Sequence, residues 1–331
     1  MQNIPKTTKG VLLHNDGSLT YGEVPLPEIY EDQVLIKVHS GPIHPFDHLI
    51  ISGAFPDHRS RPYTVGSEGS GLVVATGSSD KAKALLNKRV SFFANGSYGE
   101  YTVVPTVVVV PLPENIDYEQ GSLCQVNPLT VQGFLNKCEV NNYTAIASSA
   151  AASQLGRMLL KGATEAGITV VNFVRREGQV QVLKDLGAKF VINRGQEGWQ
   201  EEAKKVLEEQ KVQAYFDALG GPDAGRIIDQ LPDGTDVYCY GTLTKKNIDL
   251  SGFQVISKHI TVRGYNLFDD LGVPETAAKL FKGAFENIEK GTFRSTVAAK
   301  FSQEQFEEAM KTSTQEATEG KVLIQNSNFG E

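Results

Sequence analysis

Apolar and polar positions follow two different rhythms along this chain. In the first third, short β-like runs are separated by Gly, Pro and Asp: Gly10 to His14, Gln33 to Ser40, Ser70 to Ala75, Arg89 to Ala94 and Tyr98 to Val104. Runs of this length bounded by turn residues predict strands, and their spacing predicts a β-rich, barrel-like module. From about Ser122 strands and helices alternate. The apolar run Thr144 to Ala147 predicts a strand, Ser148 to Gly156 a small-residue turn, the stretch through Ala163 a helix, and the β-branched run Thr169 to Val174 a second strand. A helix (Gln179 to Leu186), a strand (Phe190 to Ile192), an amphipathic helix (Gly198 to Gln210), a strand (Ala214 to Ala218) and a helix (Ala224 to Gln230) follow. Strands Asp236 to Tyr240 and Ile260 to Gly264 complete the series. Such alternation predicts a mostly parallel sheet covered on both faces. Two amphipathic helices, Glu275 to Lys290 and Gln303 to Thr312, precede a closing strand, Gly320 to Gln325, whose simplest place is back in the first module. The expected fold class is α/β. A Rossmann-type doubly wound parallel sheet over residues 122–265 would be inserted into a discontinuous β-rich domain of residues 1–121 and 266–331.

The strand–turn–helix–strand unit from Tyr143 to Arg176 carries the chemistry that the pattern suggests. In a dinucleotide-binding βαβ unit the pyrophosphate sits at the helix N-terminus, and three glycines shape the turn. Here those positions hold Ala150, Ser153 and Gly156. Alanine and serine are small enough to let a phosphate approach backbone N–H groups, although they lack the freedom of glycine at positive φ. Ser153, Gln154 and Leu155 are expected at the pyrophosphate. The second strand ends on Arg175 and Arg176, where an acid would read the ribose 2′-hydroxyl of NAD. Arginine suits the 2′-phosphate of NADP instead, so the expected cofactor is NADPH. The alternative is an ordinary βαβ unit with no ligand and an arginine pair on a solvated surface turn.

Bulk properties narrow the class without choosing a reaction. The chain has 331 residues, long enough for two domains, with 40% hydrophobic and 21% charged residues. A net charge of −7 argues against a nucleic-acid partner or a basic membrane-surface role. The three cysteines, Cys124, Cys138 and Cys239, are scattered, which suits a reducing compartment and gives no disulfide framework. The N-terminal segment has neither the apolar core of a secretory signal nor an arginine-rich amphipathic pattern, and no apolar run reaches transmembrane length. A cytoplasmic protein is expected.

Several segments resemble the medium-chain dehydrogenase/reductase superfamily, in particular its zinc-independent quinone oxidoreductase and enoyl reductase branch. Gly66-Ser67-Glu68-Gly69-Ser70-Gly71 followed by Val73-Val74 is similar to its G-x-E-x-x-G-x-V turn, and Gly96-Ser97-Tyr98-Gly99-Glu100-Tyr101 to its G-S-Y-A-E-Y segment. Asn127-Pro128-Leu129-Thr130 is similar to its N-P-L-T-A helix start; Asp217 to Gly221 and Tyr240 to Leu243 are similar to its strand ends. The resemblance implies a GroES-like barrel for the first module. It implies that Asn127 and Thr130 lie beneath the nicotinamide, that Tyr240, Gly241, Thr242 and Leu243 pass over it, and that Arg194 serves the adenosine phosphate. Zinc-dependent relatives place a Cys, a His and a Cys at positions that are His44, Ser67 and Asn127 here, a poor donor set for tetrahedral zinc, so no metal is expected.

The same resemblance assigns an N-P-x-D turn to His44-Pro45-Phe46-Asp47, with His in place of Asn. His44 is a candidate hydrogen-bond donor or proton source, or simply the cap of the following turn. Relatives that reduce enoyl thioesters carry a tyrosine donor in a G-x-Y segment that reads Gly53-Ala54-Phe55 here, leaving Tyr63 and Tyr98 as substitutes. The implied activity is hydride transfer to a quinone, enone or enal, a small-molecule substrate. A nucleotide-binding subunit of a larger assembly with reduced catalysis is one alternative, and a 2-enoyl-thioester reductase is another. A homodimer is expected, with Ile260 to Gly264 as the pairing strand.

Overall fold

The computed structural model describes residues 5–315 and 319–330. The chain divides into two compact units, one of residues up to Asn127 together with those from Arg294 onward, the other Pro128–Phe293. The first stretch supplies strands β1 (Thr7–Leu13), β2 (Leu19–Pro25) and β3 (Gln33–Pro42), then helix α1 (Pro45–Ile51) and strands β4 (Tyr63–Thr64) and β5 (Gly69–Thr76). Helix α2 (Asp80–Lys83), strands β6 (Arg89–Phe92), β7 (Tyr101–Pro105) and β8 (Val109–Pro111), and helix α3 (Tyr118–Gly121) follow. Each strand expected in this region is present. β2, β4 and β8 are additional: β4 and β8 are too short to show a period, and β2 carries no fully buried position to mark one.

The second unit begins within helix α4 (Val126–Asn141) and continues β9 (Ala145–Ser148), α5 (Gln154–Glu165), β10 (Thr169–Val174), α6 (Glu177–Asp185) and β11 (Phe190–Asn193). Helix α7 (Trp199–Glu209), β12 (Ala214–Asp217), α8 (Gly221–Ile228), β13 (Asp236–Cys239), α9 (Gly252–Ser257) and β14 (Thr261–Gly264) complete the sheet, and α10 (Leu267–Leu271) and α11 (Pro274–Lys290) follow it. The strands are parallel in the order β11-β10-β9-β12-β13-β14, the doubly wound order whose reversal lies between β9 and β12. Every residue of β9 and β12 is buried and every residue of β14 is exposed, as befits central and edge strands. Ala147, Phe173, Trp199, Leu207, Tyr215 and Ile227 form the core on one face.

Helices α10 and α11 belong to this second unit, so the chain returns to the first at Phe293/Arg294 and not at 265/266. Side-chain bonds to α4 explain why. Lys137 pairs with Asp270 at 2.7 Å, Lys279 with Glu139 at 2.8 Å, and Asn287 donates to Gln132 at 3.4 Å. Phe293 then packs where a Cβ on Gly162 would collide with it.

The returning chain adds β15 (Val297–Ser302), α12 (Phe306–Gln315) and β16 (Lys321–Gln325) to the first unit. Its seven-stranded sheet runs β15-β16-β3-β5-β6-β8, with β7 also paired to β3. β16 pairs antiparallel with β3 through Leu323↔Pro42, Ile324↔Gly41 and Gln325↔Ser40. That register sets Lys321, at the start of β16, beside the turn that opens α1. Among the described residues, no helix is long and apolar enough to cross a membrane.

Candidate active site

At the C-terminal end of β9 the chain enters a turn whose backbone is under strain. Ala150 takes a left-handed conformation, φ 47°, where the general pattern has glycine. The Cβ of an L-residue costs roughly 1–2 kcal/mol there. Ser153 caps α5, its hydroxyl accepting the N–H of Gly156 at 3.2 Å. A Cβ on Gly156 would drive into the Ala151 carbonyl, so only glycine lets α5 approach the turn this closely. Gln154 is buried in the first turn of α5 and Leu155 follows it, so the positive end of the helix dipole lies at the crevice between β9 and β12.

Asp217 fixes that crevice from the β12 side. Its carboxylate is completely buried. One oxygen accepts from Ser149 Oγ at 2.9 Å, Tyr215 Oη at 2.7 Å and the Leu219 N–H at 3.2 Å, and the other from the Gly220 N–H at 2.8 Å. Ser149 Oγ in turn accepts the Ala218 N–H at 2.9 Å. One carboxylate thus holds the loops after β9 and β12 in mutual register. Burial, reinforced by the Asp217 charge, raises the Tyr215 hydroxyl well above its usual range. Segment Tyr240 to Thr244 folds back over the β12 end: Tyr240 N–H donates to the Asp217 carbonyl at 2.9 Å and Leu243 N–H to the Ala218 carbonyl at 3.0 Å. Gly241 sits where a Cβ would lie 2.8 Å from the Ala218 carbonyl oxygen, while Thr242 and Leu243 are exposed.

The arginines gather at the ends of β10 and β11. Arg175 and Arg176 are exposed, and both N–H groups are accepted by Gln179 Oε1, at 3.1 and 3.2 Å, which seats them at the start of α6. Arg194 is adjoining, its N–H bonded to the Val174 carbonyl at 2.9 Å, but its guanidinium is buried against Asp223 at 3.0 Å. This set, a small-residue turn in which Gly156 alone could take no Cβ and a pair of exposed guanidinium groups at the end of the neighbouring strand β10, fits a phosphorylated dinucleotide. Asn127 and Thr130 are buried in the first turns of α4.

The first unit holds the other candidate residues. His44 is 3% exposed and caps α1. Its N–H donates to Asp47 Oδ2 at 2.8 Å, the reciprocal bond of a capping box. The same Asp47 oxygen accepts the hydroxyl of Tyr98 at 2.9 Å. Burial first, and Asp47 second, hold the Tyr98 proton far above the usual phenol range. Tyr63 lies in a different cluster: its hydroxyl donates to Asp57 and accepts from Arg59 at 2.8 Å, with the Arg59 guanidinium 3.9 Å over its ring. The fold therefore brings His44, Asp47 and Tyr98 together and engages Tyr63 elsewhere.

Both ring nitrogens of His44 are occupied, Nε2 by Glu68 Oε2 at 2.7 Å and Nδ1 by Lys321 Nζ at 2.9 Å. With Ser67 and Asn127 at the other two positions, these side chains do not fit a zinc site. Among the described residues no group of three His, Cys, Asp or Glu side chains is arranged to hold a metal ion. Glu68, Lys321 and Asp217 escaped assignment from sequence. Glu68 left a signal, a lone acid among the small residues Gly66 to Gly71; Lys321 left none, since Gly320-Lys321-Val322 reads only as the start of a strand.

Comparison with known proteins agrees with this geometry. Residues 30–114 match the alcohol dehydrogenase GroES-like domain, and residues 155–283 match the zinc-binding dehydrogenase family. The human quinone oxidoreductase is 26% identical over 250 residues, 74% of each chain. The mitochondrial enoyl-[acyl-carrier-protein] reductase of Arabidopsis thaliana is 28% identical over 252 residues, 73% of this chain and 66% of that one. A candidate NADPH:quinone reductase of Mesorhizobium loti superposes with a TM-score of 0.89 at 28% identity, over 98% of this chain and 100% of that one. The Escherichia coli quinone oxidoreductase, solved with NADPH, shares the fold with a TM-score of 0.84 at 22% identity, over 96% of this chain and 99% of that one. The chain belongs to the medium-chain dehydrogenase/reductase superfamily, in its quinone oxidoreductase-like branch, and is an oxidoreductase.

Proposed function

We propose that the chain is an NADPH-dependent, zinc-independent reductase of quinones, enones or enals. The observation that carries this reading is the exposed pair Arg175 and Arg176 at the end of β10, one strand from the Gly156 turn. Ser153, Gln154 and Leu155 would hold the pyrophosphate, Arg175 and Arg176 the 2′-phosphate, and Tyr240 to Leu243 with Asn127 and Thr130 the nicotinamide end. Arg194, neutralised by Asp223, would serve the adenosine side by shaping the turn more than by charge. Bound there, NADPH supplies the hydride. The relatives named as NADPH:quinone and quinone reductases support this substrate class. Phe55 at the tyrosine position favours it over an enoyl thioester.

The same reading includes a homodimer. β14 is an exposed edge, with Val262 on it and Phe253 and Ile256 of α9 exposed beside it, and an unpaired edge recruits a second strand. Light scattering tests this directly, and a monomer at micromolar concentration would remove it.

The cofactor assignment is tested by titrating the protein with NADPH and NADH, then oxidising the bound NADPH with a panel of quinones and enones. Replacing Arg175 and Arg176 together by Ala is expected to weaken NADPH binding tenfold to a hundredfold, with NADH unchanged. Charge-assisted hydrogen bonds contribute roughly 1.5–3 kcal/mol. Equal losses for both nucleotides would mean that the arginines do not read the 2′-phosphate. Tight binding without turnover by any acceptor would favour the nucleotide-binding subunit instead.

A further inference from the structure

An acid stands directly behind the arginine pair, and its hydrogen bonds tie it to a neighbouring turn. Glu177 is the first residue of α6 and follows Arg176 without a break. Arg175, Arg176 and Glu177 are all exposed. A carboxylate one and two positions from two guanidinium groups is well placed to pair with them and mask their charge. Here Glu177 Oε2 accepts Asn193 Nδ2 at 3.0 Å and Gln196 Nε2 at 3.1 Å. Both donors are neutral amides of the turn that follows β11.

That turn is itself fixed against the arginines. Asn193 pairs with Val174 in the β10–β11 register, and the Arg194 N–H donates to the Val174 carbonyl at 2.9 Å. A Cβ on Gly195 would lie 2.5 Å from the Arg175 carbonyl oxygen, so the two turns approach this closely only because residue 195 is glycine. Asn193 is 8% exposed and uses both halves of its amide. Its Oδ1 accepts the Gly195 N–H at 3.0 Å, which closes its own turn, while its Nδ2 holds Glu177. The neighbouring cation Arg194 is engaged with Asp223 at 3.0 Å. A first-turn acid favours the helix dipole wherever its carboxylate lies. What the two amides add is direction.

We infer that Asn193 and Gln196 are selectivity residues for the phosphorylated cofactor, because by holding the Glu177 carboxylate on the β11 turn they keep Arg175 and Arg176 available to a 2′-phosphate. The inference rests on the NADPH reading above. The amides are positioning residues that act through Glu177. Released from them, the carboxylate pairs with the guanidinium groups, and a 2′-phosphate must displace it. NADH has a hydroxyl at that place and meets no such competition.

The test measures NADPH and NADH affinity of the full chain by titration. Asn193→Asp keeps the acceptor for the Gly195 N–H and sets a second carboxylate against Glu177. It is expected to weaken NADPH binding by roughly threefold to tenfold, between the effect of an exposed ion pair and that of losing a charge-assisted bond, with NADH unchanged. Combining it with Glu177→Gln exchanges donor and acceptor at constant net charge and should restore NADPH affinity. Should Asn193→Asp fail to fold, the exposed Gln196→Ala provides the second variant. It should cost about twofold in NADPH affinity, and nothing when Glu177→Gln is present. Equal losses for both nucleotides, an unchanged NADPH affinity in either variant, or a loss that Glu177→Gln does not relieve would overturn the inference. Failure of the underlying reading looks different: replacing Arg175 and Arg176 by Ala would then leave the preference for NADPH over NADH where it was.

Discussion

The small-residue turn after β9 in the second unit and the buried polar cluster of the first are built by opposite means. The turn is local: Ala150, Ser153 and Gly156 lie within a few residues of one another, and backbone conformation and close approach shape it. The cluster is assembled from side chains far apart in the chain, with Tyr98, His44, Glu68 and Lys321 meeting only because β16 pairs with β3 and α1 starts where β3 ends. A local device tolerates substitution of the surrounding fold and is sensitive to the size of single residues. A long-range cluster is sensitive to any change that leaves one buried charge without its partner.

Asp217 blurs this contrast, since it is a long-range carboxylate that stabilises the local turn, and breaking it should have the largest effect. Asp217→Ala is expected to destabilise the chain by about 3–5 kcal/mol, because the buried donors Ser149 Oγ, Tyr215 Oη and the Leu219 and Gly220 N–H groups all lose their acceptor, and to abolish NADPH binding in whatever folded protein remains. Denaturant melts and nucleotide titration check both. If binding persists at wild-type affinity, the β9 turn is self-supporting and the two regions differ still more in how they are held. Gly156→Ala should come next, at about 1–3 kcal/mol from overpacking against the Ala151 carbonyl, with a large loss of nucleotide affinity. A stability loss without an affinity loss would separate helix packing from phosphate binding.

The cluster predicts a pH signature of definite sign. Lys321 titrates at about 8 in the folded chain against an ordinary value of 10.5, so between those limits the unfolded chain binds more protons. Stability from this group should therefore rise with pH across that window, with its penalty complete below about pH 8 and absent above about pH 10.5. The difference in unfolding free energy between wild type and Lys321→Met, followed from pH 7 to pH 11, isolates it; a flat difference would mean the lysine is not desolvated. The smallest effect expected is that of Ala150→Gly. Relief of the left-handed alanine is partly offset by the greater chain entropy of glycine, leaving a gain of up to about 1 kcal/mol with nucleotide affinity preserved. A loss would show that the alanine methyl makes contacts worth more than its strain.

The hydrophobic rhythm predicted the parallel sheet, the alternation of its strands with helices except for α9, and a small-residue turn after β9, because a period of two or 3.6 residues and a small-residue turn are properties of neighbouring positions. The arginine pair was legible for the same reason: it sits at the end of a strand that the β-branched run Thr169 to Val174 announces. The strand pairings of the first unit, the attachment of α10 and α11 to α4, the separation of Tyr63 from His44 and the row Lys321–His44–Glu68 were decided by tertiary structure. Each depends on which distant segments share a sheet edge or a helix face. No periodicity records that a lysine at the start of a strand will meet a histidine 277 positions away, whereas the desolvation of that lysine follows at once when the two strands pair.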